Sequence, residues 1–304
     1  MKRMAAALLL ILLLLPSCSQ SGSQPADPPL TEQPLQIGAI SLEISAPAGG
    51  GAEFLKTAQS FAAALQEAMT AEGIEVETLS LSFSRADAAT AQALSEGGVA
   101  LGVLGTMAGF AEEGLIPAAL MSRSADAPSC GVIAAADSAY GAQLLSRAQS
   151  GSPISWTEWN RAVFGAVESD VLLLQAADFA LTESTAHGVE ELAAWRSFAT
   201  EEELLNAMAQ GEIDAALLRS ERAEESAVLL KTDVLYEAVF AVSPAAEQLT
   251  AERVTAALRT ALMKTAESPA GQEFLAQYGC SAWTAANEEE IKALQRLANW
   301  EDTK

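Results

Sequence analysis

Any chemistry in this chain falls mainly to carboxylates. There are 40 Asp and Glu against 17 Lys and Arg, and a single histidine, His187. A nucleophile–base pair or a histidine metal cluster would have to use His187. It lies in Glu183-Ser184-Thr185-Ala186-His187-Gly188, which reads as a surface loop. No G-x-S-x-G, H-E-x-x-H or C-x-x-C occurs, so nucleophilic and metal-assisted hydrolysis lack their usual parts. No catalytic residue, metal or cofactor is expected. Carboxylate-only hydrolysis, of the glycosidase kind, stays open on composition alone. Three carboxylates stand out by position. Glu168 and Asp170 flank Ser169 where a strand should give way to a helix, and Glu201 opens a later helix. They either cap and solvate the first turns, where acid is favoured by the helix dipole, or serve as counter-charges to a ligand. Trp156 and Trp159 are three apart, on one helical face. They either stack on a ligand or pack into a core.

The cysteines speak to compartment. Cys130 and Cys280 suit a disulfide if the chain works outside the cytoplasm. Two separate buried thiols are the alternative, because sequence does not tell whether their Cα atoms come within bridging distance. The chain begins Met1-Lys2-Arg3 and then runs apolar from Met4 to Leu15. A basic start and short apolar core mark a secretory signal, and the run is shorter than the roughly 20 residues of a membrane span. It ends Leu15-Pro16-Ser17-Cys18, which resembles the lipobox of bacterial lipoproteins. Residues 1–17 are therefore read as a signal peptide and Cys18 as the lipidated residue. Residues 18–34 are rich in Ser, Gln, Pro and Gly, a flexible lipidated tether. The expected location is extracytoplasmic, anchored to the cell membrane rather than threaded through it. A net charge of −23 excludes nucleic acid as a partner, because that binding needs Lys and Arg against phosphate.

The elements that must hold these groups follow from periodicity. Leu35 to Ile40 alternates as a strand. Phe54, Ala58, Phe61, Leu65 and Met69 mark one helix face, closed by Gly73. Ile74 to Leu81 alternates again, Asp87 is expected to cap a helix through Glu96, and Val99 to Leu104 is a buried strand. The grammar returns with a strand at 162–167, a helix at 171–181, a helix capped by Thr200 and a strand at 213–218. A strand at 237–242, a helix capped by Thr250, another begun by Pro269 and a last one over 287–300 complete the chain. Alternating strands and helices give an α/β fold. The likeness of residues 94–101 to residues 208–217, each helix end, glycine, then strand, implies two lobes.

In order and spacing these motifs resemble the phosphate, phosphite and phosphonate substrate-binding lipoproteins of ABC transporters, which have the periplasmic-binding protein type 2 fold. The resemblance runs over nearly all of residues 35–297. It is carried by Ala93 to Gly105, by Cys130-Gly131-Val132-Ile133 with Tyr140-Gly141 and Ile154 to Ala162, and by Thr250 to Leu297 including Glu267 to Leu275. It implies two lobes, each a mainly parallel sheet wrapped by helices. Residues 35–133 would begin lobe I, 134–235 form lobe II, and 236–304 return to lobe I. A solute would bind in the cleft and draw the lobes together, and an ABC permease would be the partner. The positions brought toward the ligand are Ser41, Ser84, Asp87, Thr106, Met107, Ser169, Asp170 and Glu201. In the family a Ser/Thr-rich turn at a helix N-terminus grips an anion. Here that stretch is Ala166 to Leu172 and keeps only Ser169 as a hydroxyl. The expectation is a solute-binding protein with a diverged anion loop, whose solute is neutral or cationic. A ligand-free accessory lipoprotein on the same fold is the alternative.

Overall fold

The computed structural model describes residues 30–47, 49–125, 129–285 and 287–300. The leader, Cys18 and most of the tether lie outside the described residues.

Eleven strands and eleven helices follow one another along these residues. They are β1 Leu35–Ser45, α1 Ala52–Ala71, β2 Ile74–Ser84, α2 Asp87–Ser95, β3 Leu101–Gly105, α3 Thr106–Ala111, β4 Ile116–Ser122, β5 Ser129–Ala135, α4 Ala139–Gln149, α5 Trp156–Trp159, β6 Val163–Val167, α6 Val171–Thr185, β7 Ala194–Phe198, α7 Glu201–Ala209, β8 Ala215–Arg219, β9 Val228–Leu235, β10 Ala238–Val242, α8 Glu247–Thr250, α9 Glu252–Glu267, α10 Pro269–Ala276, β11 Ala282–Thr284 and α11 Glu288–Ala298. The strands build two sheets, ordered β11-β4-β10-β3-β1-β2 and β7-β6-β8-β5-β9. Each sheet, with the helices packed against it, forms one lobe of an α/β architecture.

Neither sheet is mainly parallel. Two of the five pairings in the first sheet and two of the four in the second are parallel: β1 runs parallel to β2 and β3, and β6 runs parallel to β7 and β8. The other pairings are antiparallel, around β10 and β4 in lobe I and around β5 in lobe II. The cause is the path between lobes. The chain leaves lobe I after β4 and returns through Tyr236-Glu237 between β9 and β10, so the crossing strands enter each sheet against its parallel strands. The outward crossing falls between Ser122 and Ser129, not after Ile133, because β5 pairs within the second sheet. The two crossings lie side by side: the Glu237 amide donates to the Met121 carbonyl at 3.0 Å.

The expected apolar face of α1 is buried in full, Phe54, Ala58, Phe61, Leu65 and Met69 each being at most 1% exposed. It packs with α9 and α10 on one face of the lobe I sheet, while α2, α3 and α11 cover the other. The helix ends where Gly73 takes φ +82°, a left-handed turn in which a side chain is strained. Asp87 is the first residue of α2 and does not cap it; Ala86 is the cap. Thr250 closes α8 by donating to the Glu247 carbonyl, and α9 begins without a side-chain cap. Thr200 does cap α7.

α11 spans the lobes. Leu294 belongs to a lobe I cluster, Leu297 to the lobe II core, and the Trp300 indole donates to Asp178 of α6 at 3.1 Å. No helix among the described residues is long and apolar enough to cross a membrane.

Cys130 and Cys280 are not bridged. Both are free thiols, Cys130 half-buried on β5 in lobe II and Cys280 buried in lobe I. Burial pushes the Cys280 thiol up to about 12, so it stays protonated and inert as a nucleophile at neutral pH. Alkylation of the native protein at pH 8 is expected to label Cys130 readily and Cys280 only after unfolding. Full protection of both in unfolded, unreduced protein would show a disulfide instead.

Candidate functional site

Two cavities meet at the crossings. One, of about 300 Å³, has its floor in lobe II and is lined by Ser169, Asp170, Leu173, Glu201, Leu204 and Arg219, with Arg123 and Glu237 from the two crossings. The other, of about 730 Å³, opens on lobe I and is lined by Ser45 to Pro47, Gly49, Gly50, Arg85, Asp87, Gly105, Gln277 and Tyr278, and again by Glu237. These positions sit at the C-terminal ends of parallel strands and the loops that follow, where open α/β sheets present their crevices.

Charge in the lobe II cavity is paired. Arg219 ends β8 and is 4% exposed. Its Nε donates to Asp170 Oδ2 at 3.1 Å and its Nη2 to Asp170 Oδ1 at 2.9 Å, a two-pronged pair. Nη2 also lies 3.1 Å from Glu237 Oε1. Its third nitrogen, Nη1, is buried without a hydrogen-bond partner among the described residues. Arg123 Nε donates to Glu237 at 2.6 Å. Burial alone would lower the Arg123 guanidinium, but the adjoining Glu237 carboxylate, helped by Asp170 and Glu221, holds it above its ordinary value. Glu237 thus joins both crossings and lobe II through two arginines. Glu201 is held by Arg222 at 2.7 Å.

The lobe I floor is built differently. The Tyr278 hydroxyl donates to the Ser45 carbonyl at 2.7 Å, and burial, then the charge of Asp87, keep it protonated far above its ordinary range. Asp87 accepts the Gly105 amide at 2.8 Å. A Cβ on Gly105 would stand 2.4 Å from Asp87 Oδ2, which is why glycine ends β3 here. Arg85 is exposed and has no ion-pair partner among the described residues.

Of the residues expected around the ligand, the structure brings Asp87, Ser169, Asp170 and Glu201 to the cavities. Ser41 lies within β1, where its hydroxyl accepts the Ala100 amide. Ser84 turns back on Ala86. Thr106 is buried and donates to the Tyr236 carbonyl at 2.6 Å, so it ties α3 to the return crossing. Met107 lines a separate crevice under α11 with Leu297 and Trp300. Trp159 is buried in the lobe II core. Trp156 stacks on His187 with ring centroids 4.5 Å apart, away from both cavities, and His187 pairs with Glu191. Glu168 is exposed beside the cavity without lining it. Arg85, Arg123, Arg219, Glu237 and Tyr278 escaped the reading of the sequence. One signal was present: Arg123 directly follows, and Arg219 ends, an otherwise uncharged strand in a chain poor in cations.

The cleft therefore offers paired charges, backbone amides and hydroxyls. No cluster of metal-ligating side chains occurs among the described residues.

No family model and no curated protein matches the sequence. Solved structures do match. XAC2383 of Xanthomonas citri, determined with ATP bound, aligns over 88% of this chain and 98% of its own with a TM-score of 0.52 at 13% identity. Transferrin 1 of Manduca sexta aligns over 88% of this chain and 47% of its own with a TM-score of 0.55 at 10% identity. PhnD1 of Prochlorococcus marinus, determined with methylphosphonate, covers 88% of this chain and 99% of its own with a TM-score of 0.48 at 11% identity. What this chain shares with the first two, at these identities, is the fold alone.

Proposed function

We propose that this chain is an extracytoplasmic solute-binding protein that delivers a small polar solute to an ABC permease. The observation that carries the reading is the pair of cavities, one floored by each lobe, that meet at Glu237 between the two crossings. A hinge of two short crossings lets such lobes close on a ligand and present a closed face to a partner. The lining supplies hydrogen bonds and balanced charge, which is what holding a polar solute requires.

The same reading places the chain on the cell membrane through a lipid on Cys18. The Cys18→Ala protein should leave the membrane fraction, and its retention there would remove the anchor from the proposal.

The binding role is tested by thermal denaturation of the purified full-length protein against amines, amino acids, nucleosides, sulfonates, phosphonates and phosphate. A solute at 100 times its Kd stabilises the fold by about 2.7 kcal/mol, a rise in midpoint of roughly 5–10 °C. No rise with any of them would favour an accessory lipoprotein that uses the fold without a ligand.

A further inference from the structure

The lobe II cavity contains the parts of an oxyanion site, already filled by the chain itself. The long helix α6 begins at the cavity wall, and its terminal amides are a natural anion site. Asp170 caps it, accepting the Leu173 amide at 3.2 Å. The same carboxylate takes both prongs of the Arg219 guanidinium, the geometry by which arginine grips carboxylate or phosphate. Ser169 lies beside it on the cavity wall. Arg219 is 4% exposed, and its Nη1 still lacks a partner among the described residues. Buried guanidinium nitrogens are rarely left so, and this one belongs to a group that lines the cavity.

We propose that Asp170 is a built-in anion that sets the specificity of the cleft by occupying an oxyanion subsite, so that phosphate-like solutes are excluded. This rests on the cleft being the solute site. A free oxyanion would have to displace the Asp170 carboxylate from Arg219 or lie against it and against Glu237, whose Oε1 is 3.1 Å from the same guanidinium. Charge repulsion across such distances is strong in a cleft of lowered dielectric. A small neutral residue at 170 would free the guanidinium fork and the helix terminus for an external anion.

The test is titration calorimetry and thermal denaturation of the full-length protein with inorganic phosphate, sulfate and methylphosphonate. The wild type is expected to show no binding. Asp170→Ser keeps a helix cap, removes the charge and opens room; it is expected to bind at least one of the three about tenfold or more tightly than the wild type. Asp170→Asn keeps the cap and the volume, and should gain less. Arg219→Lys added to Asp170→Ser should abolish the gain, because lysine has no fork. Binding by the wild type as tight as by the variants overturns the proposal, whether or not Asp170→Ser folds. So does a folded Asp170→Ser or Asp170→Asn protein with no gain for any of the three. A wild-type response to another solute, without the gain in the variants, sinks this inference and leaves the binding role standing. A gain in the variants supports the filled oxyanion subsite, whatever the response of the wild type to other solutes.

Discussion

Replacing Arg219 with methionine should cost about 3–5 kcal/mol, the range for breaking a buried ion pair by removing one partner. Arg219 is 4% exposed, and its partners Asp170 and Glu237 are 23% and 17% exposed, so solvent screens the pair weakly. Methionine fills most of the space but leaves Asp170 without its fork. Glu237 keeps Arg123 at 2.6 Å and is less affected. The loss should therefore come mainly from Asp170. Removing that charge as well, in Arg219→Met with Asp170→Asn, should recover more than half of the stability, because an uncharged pair no longer needs a counter-ion. Urea unfolding of the two variants and the wild type measures both quantities. A single-variant loss below about 1 kcal/mol would mean that the pair behaves as an exposed one.

Phe274→Ala should cost a similar amount, about 3–5 kcal/mol, through packing rather than charge. Phe274 is wholly buried and stacks on Phe61 with centroids 4.0 Å apart and planes 11° apart. It also meets Tyr278 edge-on at 5.4 Å. α1 and α10 are joined through these rings, so the cavity left by alanine opens between helices that cannot easily collapse. The consequence reaches the site. Tyr278 lines the lobe I cavity and holds Ser45 through its hydroxyl, so the variant should weaken any solute affinity as well as stability. Phe274→Leu refills much of the volume and should recover most of both. Equal stability of the alanine variant and the wild type in urea would show that the stack contributes nothing.

Both effects arise from contacts of different legibility. The apolar face of α1 could be read from residues 54–69, because a helix repeats its own buried face every few residues and the information is local. The same holds for the short strands and for the glycine that ends α1. Helix caps were read less well. Thr200 caps α7, but the turns before α2 and α9 place Asp87 inside its helix and Thr250 in α8. A Ser, Thr or Asp near a helix start can cap it or turn to another group, and Asp87 turns to the Gly105 amide.

By itself the sequence determined an α/β chain with alternating buried strands and amphipathic helices, a strongly acidic surface and a scarcity of catalytic side chains. Those are properties of composition and short-range period, and they do not depend on which segments meet. Only the tertiary structure decided strand direction, the point of crossing and the pairing of charge. A strand's side-chain period is the same in either direction, so the antiparallel pairings of the sheets left no mark in the pattern. Asp170 and Arg219 are 49 residues apart and Arg123 and Glu237 are 114 apart. In the sequence Asp170 stands as a bare carboxylate beside a helix start. In the folded chain it is neutralised by a guanidinium from the next parallel strand over, because β6 and β8 lie side by side and bring their C-terminal ends to one place.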